Sequence, residues 1–102
     1  MIVVRSIMQA KFGYGGHLAA AATEGMEAFT KAFKDSPRWR ILTELSGPFD
    51  TVTIETDVVS LAEWEAARAR MFALPEFEET LNAMQELVVS GRLEYLNVES
   101  QG

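Results

Sequence analysis

The sequence predicts a small α+β domain in which the elements follow the order strand, helix, hairpin, interrupted helix, strand. Three observations support this prediction. Short segments rich in β-branched residues alternate between apolar and polar side chains, which is typical of half-buried strands. Longer segments repeat apolar residues at steps of three and four, which is typical of amphipathic helices. A Gly-Pro turn joins two of the strands directly, which indicates a β-hairpin.

The first strand is predicted over residues 2–12, where the side of the strand that holds Val4 and Met8 is the more apolar. We expect this side to face the helices, because successive side chains point to opposite faces of a sheet. The first helix is predicted from His17 to Lys34, with one apolar stripe along its length. Residues 35–37, Asp-Ser-Pro, end it, since proline cannot continue the helical hydrogen bonds.

The β-hairpin is predicted from residues 38–45 and 51–58, which both alternate between apolar and polar side chains. The residues between them, 46–50, read Ser-Gly-Pro-Phe-Asp and have the composition of a turn. Arg40 lies on the polar side of the first of these strands, and Glu55 lies on the polar side of the second. We therefore expect charged side chains on the sheet face that the helices leave open.

The second helix is predicted to begin at a capping box, in which Ser60 accepts a backbone N–H and Glu63 reaches back towards the helix start. Pro75 interrupts the helix and suits the first turn of a new segment, predicted to run to Val89. Ser90-Gly91 has the composition of a helix end. The last strand is then predicted over residues 92–99.

This order of elements predicts a four-stranded antiparallel sheet with the helices on one face, the ferredoxin-like plan, formed by residues 1–102 as a single domain. The helices then leave the other sheet face open. That face is predicted to carry the apolar residues Val3, Ile7, Leu42, and Leu93 or Tyr95. Since water would otherwise reach them, we expect two copies of the chain to pack sheet against sheet in a homodimer.

Composition and charge exclude several classes of function. The 102-residue chain has no cysteine, which excludes disulfides and thiolate chemistry, and its single histidine excludes a paired-histidine zinc site. Its net charge of -6 argues against nucleic-acid binding, which depends on basic side chains at phosphates. Because the chain shows no membrane-spanning run and no leader pattern, we expect a cytoplasmic protein. Because it shows no metal or cofactor motif, we expect it to use neither a metal nor a cofactor.

Two segments carry a resemblance to known families. They are S-L-A-E-W-E at residues 60–65 and M-x-x-L-V-x-x-G-x-x-x-Y-L at residues 84–96. With the order of elements, they resemble the dimeric α/β-barrel superfamily, and most nearly its NIPSNAP-like and antibiotic-biosynthesis-monooxygenase-like families. The resemblance implies a homodimer with a ligand-sized cleft between sheet and helices. In haem-degrading relatives a histidine on the second helix ligates iron, but residues 61–89 contain no histidine, so haem binding is not expected.

Three charged or titratable residues are candidates for chemistry. His17, beside a cluster of glycines, is a candidate proton shuttle because its pKa lies near neutrality, and the alternative is a solvated residue at a helix start. Arg5 and Arg40 are candidates for anchoring an anionic or carbonyl group. The alternative for both arginines is an ion-pair network with Glu44 and Glu55 on the sheet.

Further candidates are neutral. A flat apolar pocket for an aromatic molecule has four candidate wall residues, and the alternative for each is an ordinary core position: Trp64, Phe72, Phe77 and Trp39. Tyr95 and Asn97 on the last strand are candidates for orienting a ligand in the cleft, and Tyr95 is also a candidate catalytic residue. The candidate ligand-binding set is therefore Arg5, Arg40, Trp64, Tyr95 and Asn97.

Two hypotheses of function remain open at this point. The first is a homodimeric small-ligand-binding or accessory protein with a hydrophobic cleft. The alternative is a cofactor-independent, monooxygenase-like enzyme that acts on an aromatic or otherwise hydrophobic small molecule. The sequence shows no convergent acid–base pair, so it does not decide whether the protein is an enzyme.

Overall fold

The computed structural model describes residues 1–102 as one four-stranded sheet with three helices. The elements are β1 (Ile2–Ala10), α1 (Gly15–Ala32), β2 (Trp39–Thr43), β3 (Thr51–Val58), α2 (Leu61–Ala73), α3 (Pro75–Gln85) and β4 (Val88–Asn97). All neighbouring strands are antiparallel, and their order in the sheet is β2-β3-β1-β4. This confirms the predicted α+β class, the ferredoxin-like plan and the hairpin.

The core lies between the helices and the sheet face that holds Val4 and Met8, as predicted from the alternation in β1. At one end of this layer Phe29 and Trp64 pack around Val4. At the other end Leu18 packs with Met8. At the start of α2 the Ser60 hydroxyl accepts the Glu63 backbone N–H at 3.2 Å as predicted, and the Glu63 carboxylate reaches back one residue further, to the Val59 backbone N–H at 3.1 Å. Apolar burial by α1 and α2 therefore fixes which side of the sheet is covered.

The register of β4 corrects one prediction about the open face. Tyr95 pairs with Val4 of β1, and Leu93 pairs with Ser6, so both side chains lie on the helix side of the sheet. The prediction that Leu93 or Tyr95 lies on the open face is wrong. Leu96 lies there instead, opposite Val3. Both sides of β4 carry apolar residues, so its alternation alone does not reveal which side faces the helices.

The boundary between the last helix and the last strand also differs from the prediction. α3 ends at Gln85, and β4 begins at Val88 rather than at residue 92. Ser90-Gly91 therefore lies inside the strand and does not end a helix. A Cβ atom at Gly91 would lie 3.3 Å from the Ile7 carbonyl oxygen, so glycine fits here because the neighbouring strand passes close by.

The strands β1 and β2 are shorter than predicted. β1 ends at Ala10, and β2 ends at Thr43, which leaves Phe12 and Leu45 exposed in loops. The two loops are held by Asp50, whose carboxylate accepts hydrogen bonds from the Gly13 and Gly15 backbone N–H groups at 2.8 and 3.0 Å. Hydrogen bonds from backbone groups to the Asp50 side chain thus replace the backbone hydrogen bonds of the sheet where the strands end.

Helices α1 and α3 meet at Gly25, which is buried. A Cβ atom at this position would lie only 2.9 Å from Cγ2 of Thr80, whereas a Cβ atom at Gly16 in the same helix would meet nothing within 4 Å. Alanine stabilises a helix by about 1 kcal/mol relative to glycine, but overpacking costs roughly 1–3 kcal/mol. The contact at Gly25 therefore opposes the gain that alanine brings to a helix.

We predict that Gly25→Ala lowers the melting temperature by about 5 °C, because the clash outweighs the helix propensity. Gly16→Ala, the matched control, is expected to leave it unchanged or raise it. Combining Gly25→Ala with Thr80→Ser, which removes the clashing methyl group, is expected to restore most of the loss. Thermal denaturation followed by circular dichroism measures all three variants, and equal shifts for Gly25→Ala and Gly16→Ala would contradict the contact.

Candidate functional site

A cavity of about 370 Å³ lies between the covered face of the sheet and the helices. It is lined by β1, β3 and β4 and by all three helices, and 12 of its 18 lining residues are hydrophobic. Sites for small organic ligands have volumes of roughly 300–1,000 Å³ and mainly apolar walls. The volume is therefore sufficient for a small aromatic molecule.

The cavity exists because the helices cover the sheet unevenly. α1 packs on β1, β2 and β3, while α2 contacts β3 and α3 packs against α1. The helix side of the edge strand β4 stays open to solvent, where Leu93 is 42% and Tyr95 49% exposed. Leu74 separates α2 from α3, and Pro75 begins α3, so the two helices do not continue as one rod over the sheet. The space between these helices and β4 is the cavity.

Several polar groups interrupt its apolar wall. Ser6 and Thr56 lie on the cavity side of β1 and β3, and Thr80 lines it from α3. The Thr80 hydroxyl already donates to the Glu76 carbonyl oxygen at 3.0 Å. Arg68 of α2 also lines the cavity. The cavity thus combines a wide apolar surface with hydroxyl and guanidinium donors.

Trp64 lines the cavity and is 9% exposed, and its indole Nε1–H has no hydrogen-bond partner. It is the one buried side-chain nitrogen or oxygen of the chain without a partner. Leaving a buried donor unpaired costs roughly 1–3 kcal/mol, so native proteins rarely tolerate it without a reason. A ligand acceptor beside Trp64 would supply the missing partner.

The predicted site residues do not all meet at this cavity. Trp64 lines it, whereas Tyr95 and Asn97 share the same side of the sheet but lie outside its lining. His17 is exposed in the first turn of α1, and its ring centroid lies 5.5 Å from that of Tyr14. Only one of the predicted ligand-binding residues therefore borders the cavity.

Arg5 and Arg40 lie on the opposite, open face of the sheet, where both contact the carboxylate of Glu55. Glu55 is only 3% exposed. Burial by itself raises the pKa of this carboxyl, but the hydrogen bonds and charges of the two arginines outweigh burial and hold its pKa below the usual value. Glu44 is not part of this cluster, because its carboxylate accepts the Asp50 backbone N–H. The arrangement is the ion-pair network that was the alternative to an anion anchor.

No group of three or more histidine, aspartate or glutamate side chains is arranged to hold a metal ion. None of the three helices combines the length and apolar character needed to cross a membrane.

Comparison with known proteins identifies the architecture. No family model matches the sequence, and no curated protein is significantly similar to it. An uncharacterised NIPSNAP domain protein from Burkholderia xenovorans matches with a TM-score of 0.82 and 18% identity, over 98% of this chain and 96% of that one. The chain has the ferredoxin-like fold of the NIPSNAP-domain proteins.

Two further structures, one assigned to the antibiotic biosynthesis monooxygenases and one named an oxygenase, have the same ferredoxin-like fold. A candidate antibiotic biosynthesis monooxygenase from Chloroflexus aurantiacus matches with a TM-score of 0.72 and 16% identity, over 99% of this chain and 96% of that one. SnoaB, a cofactor-independent oxygenase from Streptomyces nogalater, matches with a TM-score of 0.69 and 12% identity, over 98% and 94%. At these identities the likeness establishes the fold and leaves activity to be argued from the site.

Sequence reasoning missed several cavity residues of this ferredoxin-like chain, above all Arg68 and Thr56. Arg68 stands four residues after Trp64 on α2, so helical spacing places the two on one face and was a usable signal. Thr56 lies on the covered side of β3, between Ile54 and Val58. A polar residue within that apolar alternation was a usable signal for a hydroxyl that faces the helices.

Proposed function

We propose that the protein binds a small hydrophobic molecule with an aromatic ring in the cavity between sheet and helices, and that it does so as a homodimer. The observation that supports this most directly is the cavity of about 370 Å³ beside the unpaired indole N–H of Trp64. An apolar wall favours a ring by removing its surface from water. The unpaired donor favours a ring that bears a hydrogen-bond acceptor.

A second candidate function is oxygenation of such a molecule without a cofactor. It is favoured by the fold shared with SnoaB, which is a cofactor-independent oxygenase, and by the apolar wall. In this reaction an aromatic substrate with an acidic CH₂ group loses a proton, and the resulting carbanion reduces O₂. One oxygen atom ends as C=O on that carbon and the other as water, so CH₂ and O₂ give C=O and H₂O. The cavity would supply a dry site and hydrogen bonds for the anion.

The proposed homodimer pairs the open sheet faces of two copies. This face carries Val3 and Ile7, which are half-buried, and Leu42 and Leu96, which are each 40% exposed. Its ion pairs involve three arginines and three acids, so they balance although the chain has a net charge of -6. A second copy would therefore meet an apolar surface without strong repulsion.

Binding in the cavity is tested with N-phenyl-1-naphthylamine, a neutral aromatic probe that fluoresces in apolar surroundings. Ala22, which is buried and lines the cavity, and Ala20, which is exposed, lie on the same helix and provide a matched pair. We predict saturable binding of one probe per chain, a loss of at least tenfold in affinity for Ala22→Leu, and no change for Ala20→Leu. Leucine at position 22 would occupy space that the probe needs.

Ser6→Leu narrows the same cavity from the sheet side and is expected to weaken binding similarly, which guards against a local effect of Ala22→Leu on folding. Equal affinity in the wild type and in both narrowed variants would contradict the cavity as the binding site. For the enzymatic alternative, anthrone offers an acidic CH₂ group in a flat ring system. Oxygen consumption that Ala22→Leu does not reduce would contradict oxygenation in this cavity.

A further inference from the structure

The charges that border the cavity are of one sign. The chain has 15 acidic and 9 basic residues, yet no aspartate or glutamate lines the cavity. Of the two arginines among its lining residues, Arg92 lies opposite Ile7, so its side chain faces the open side of the sheet, and Arg68 is the charged side chain on the cavity side. In a chain with excess negative charge, the cavity is thus bordered by a positive side chain and by no negative one. Such a site attracts an anion and repels a cation.

The two arginines differ in how their charge is satisfied. Arg92 pairs with Glu94 at 3.1 Å. Arg68 forms no ion pair with any carboxylate of the chain. Its guanidinium carbon lies 5.6 Å from the ring centroid of Phe72, which also lines the cavity. The free guanidinium is therefore held beside the apolar wall by its own helix.

Arg68 and Phe72 are both exposed as well as lining the cavity, so they lie at its opening. Phe77, on α3, makes an edge contact with Phe72 at 5.8 Å between ring centroids. A molecule whose ring system enters between these aromatic residues would leave its polar end next to Arg68. Guanidinium groups bind oxyanions through two parallel N–H bonds.

We propose that the ligand is a hydrophobic organic monoanion, with its apolar body in the cavity and its anionic oxygen atoms on Arg68. This inference rests on the proposed function, since it names the class of molecule that the cavity takes. Arg68 sets the specificity for charge, and the apolar wall binds the body of the molecule whatever its charge.

The test uses two probes that share one skeleton, 8-anilinonaphthalene-1-sulfonate and the neutral N-phenyl-1-naphthylamine. Arg68→Gln is expected to weaken binding of the sulfonate at least about tenfold, because it removes the charge-assisted hydrogen bonds of the guanidinium. It is expected to change binding of the neutral probe by less than twofold. Arg38→Gln removes an exposed arginine outside the cavity lining and is expected to change neither affinity. Arg68→Lys keeps the charge but not the two parallel N–H bonds, so its sulfonate affinity is expected to lie between those of the wild type and Arg68→Gln.

The outcomes separate this inference from the proposed function. Equal losses for both probes in Arg68→Gln would show that the arginine acts through packing, and an equal sulfonate loss in Arg38→Gln would show a general charge effect; either result overturns the inference and leaves the binding cavity standing. Binding of neither probe to the wild type overturns the proposed function and the inference with it. Circular dichroism of Arg68→Gln and Arg68→Lys checks that both variants fold.

Discussion

The wild-type chain is expected to sediment as a dimer at micromolar concentration, and Ile7→Lys is expected to sediment as an 11.3 kDa monomer. Ile7 lies on the open face of β1, which is one of the two central strands of the sheet. Its partners on the neighbouring strands are Thr53 of β3 and Arg92 of β4. A lysine there would place an unpaired charge in the middle of the proposed interface, next to an arginine. Burying an unpaired charge is costly enough to weaken dimerisation at least a hundredfold.

Leu45→Lys provides the control for this prediction, since it introduces the same charge at a fully exposed loop position. This variant is expected to remain a dimer. Sedimentation velocity over a range of protein concentrations distinguishes the two species. For a dimer in equilibrium with monomer, the average sedimentation coefficient increases with protein concentration. A wild-type chain that sediments at 11.3 kDa throughout that range would contradict the proposed homodimer.

The fold was predictable where local signals agree. The hairpin follows from the alternation on both sides of one turn, and the start of α2 follows from Ser60 and Glu63, which interact across a few residues. The start of β4 was not predictable in this way. Residues 87–89, Leu-Val-Val, continue an apolar helical pattern as well as they begin a strand, and pairing with β1 decides between the two.

The candidate site was less predictable than the fold, because its lining depends on long-range packing. Helical spacing in α2 was enough to predict that Trp64 faces the sheet. Whether Arg5 faces the cavity or the open side depends instead on which side of β1 the helices cover. The cavity itself results from the break at Pro75 and the open side of β4, which no local pattern encodes. An arginine on a strand therefore looks the same in sequence whether it binds a ligand or an ion-pair partner.

That ion-pair partner, Glu55, gives the second prediction with a large expected effect. Its pKa is lowered in the folded chain from the usual 4.5, because hydrogen bonds and charges from Arg5 and Arg40 outweigh the effect of burial. A carboxyl with a lowered folded pKa stabilises the fold above its unfolded pKa, and this stabilisation is lost as pH falls through the folded pKa. The free energy of unfolding is therefore expected to decrease as pH falls below about 4.5.

Glu55→Gln removes this charge and leaves both arginines without it. At pH 7 we expect the variant to be destabilised by about 1–2 kcal/mol, at the modest end because both arginines are about half exposed and solvent screens them. As pH falls, protonation removes the same charge from the wild type, so the difference between the two proteins should shrink. Urea denaturation at fixed protein concentration, from pH 7 to pH 3, measures both effects.

Glu94→Gln is the matched control on the same sheet face, because Glu94 pairs with the exposed Arg92 and its side chain is 35% exposed. Solvent screens that pair, so its loss is expected to cost less than 0.5 kcal/mol at pH 7, a value typical of surface ion pairs. A Glu55→Gln destabilisation that stays constant from pH 7 to pH 3 would show that the charge of Glu55 is not its cause, because protonation of Glu55 in the wild type would then change nothing. Arg5 and Arg40 would then not lower the pKa of Glu55 in the folded chain, and their ion pairs with it would not be what stabilises the fold at neutral pH.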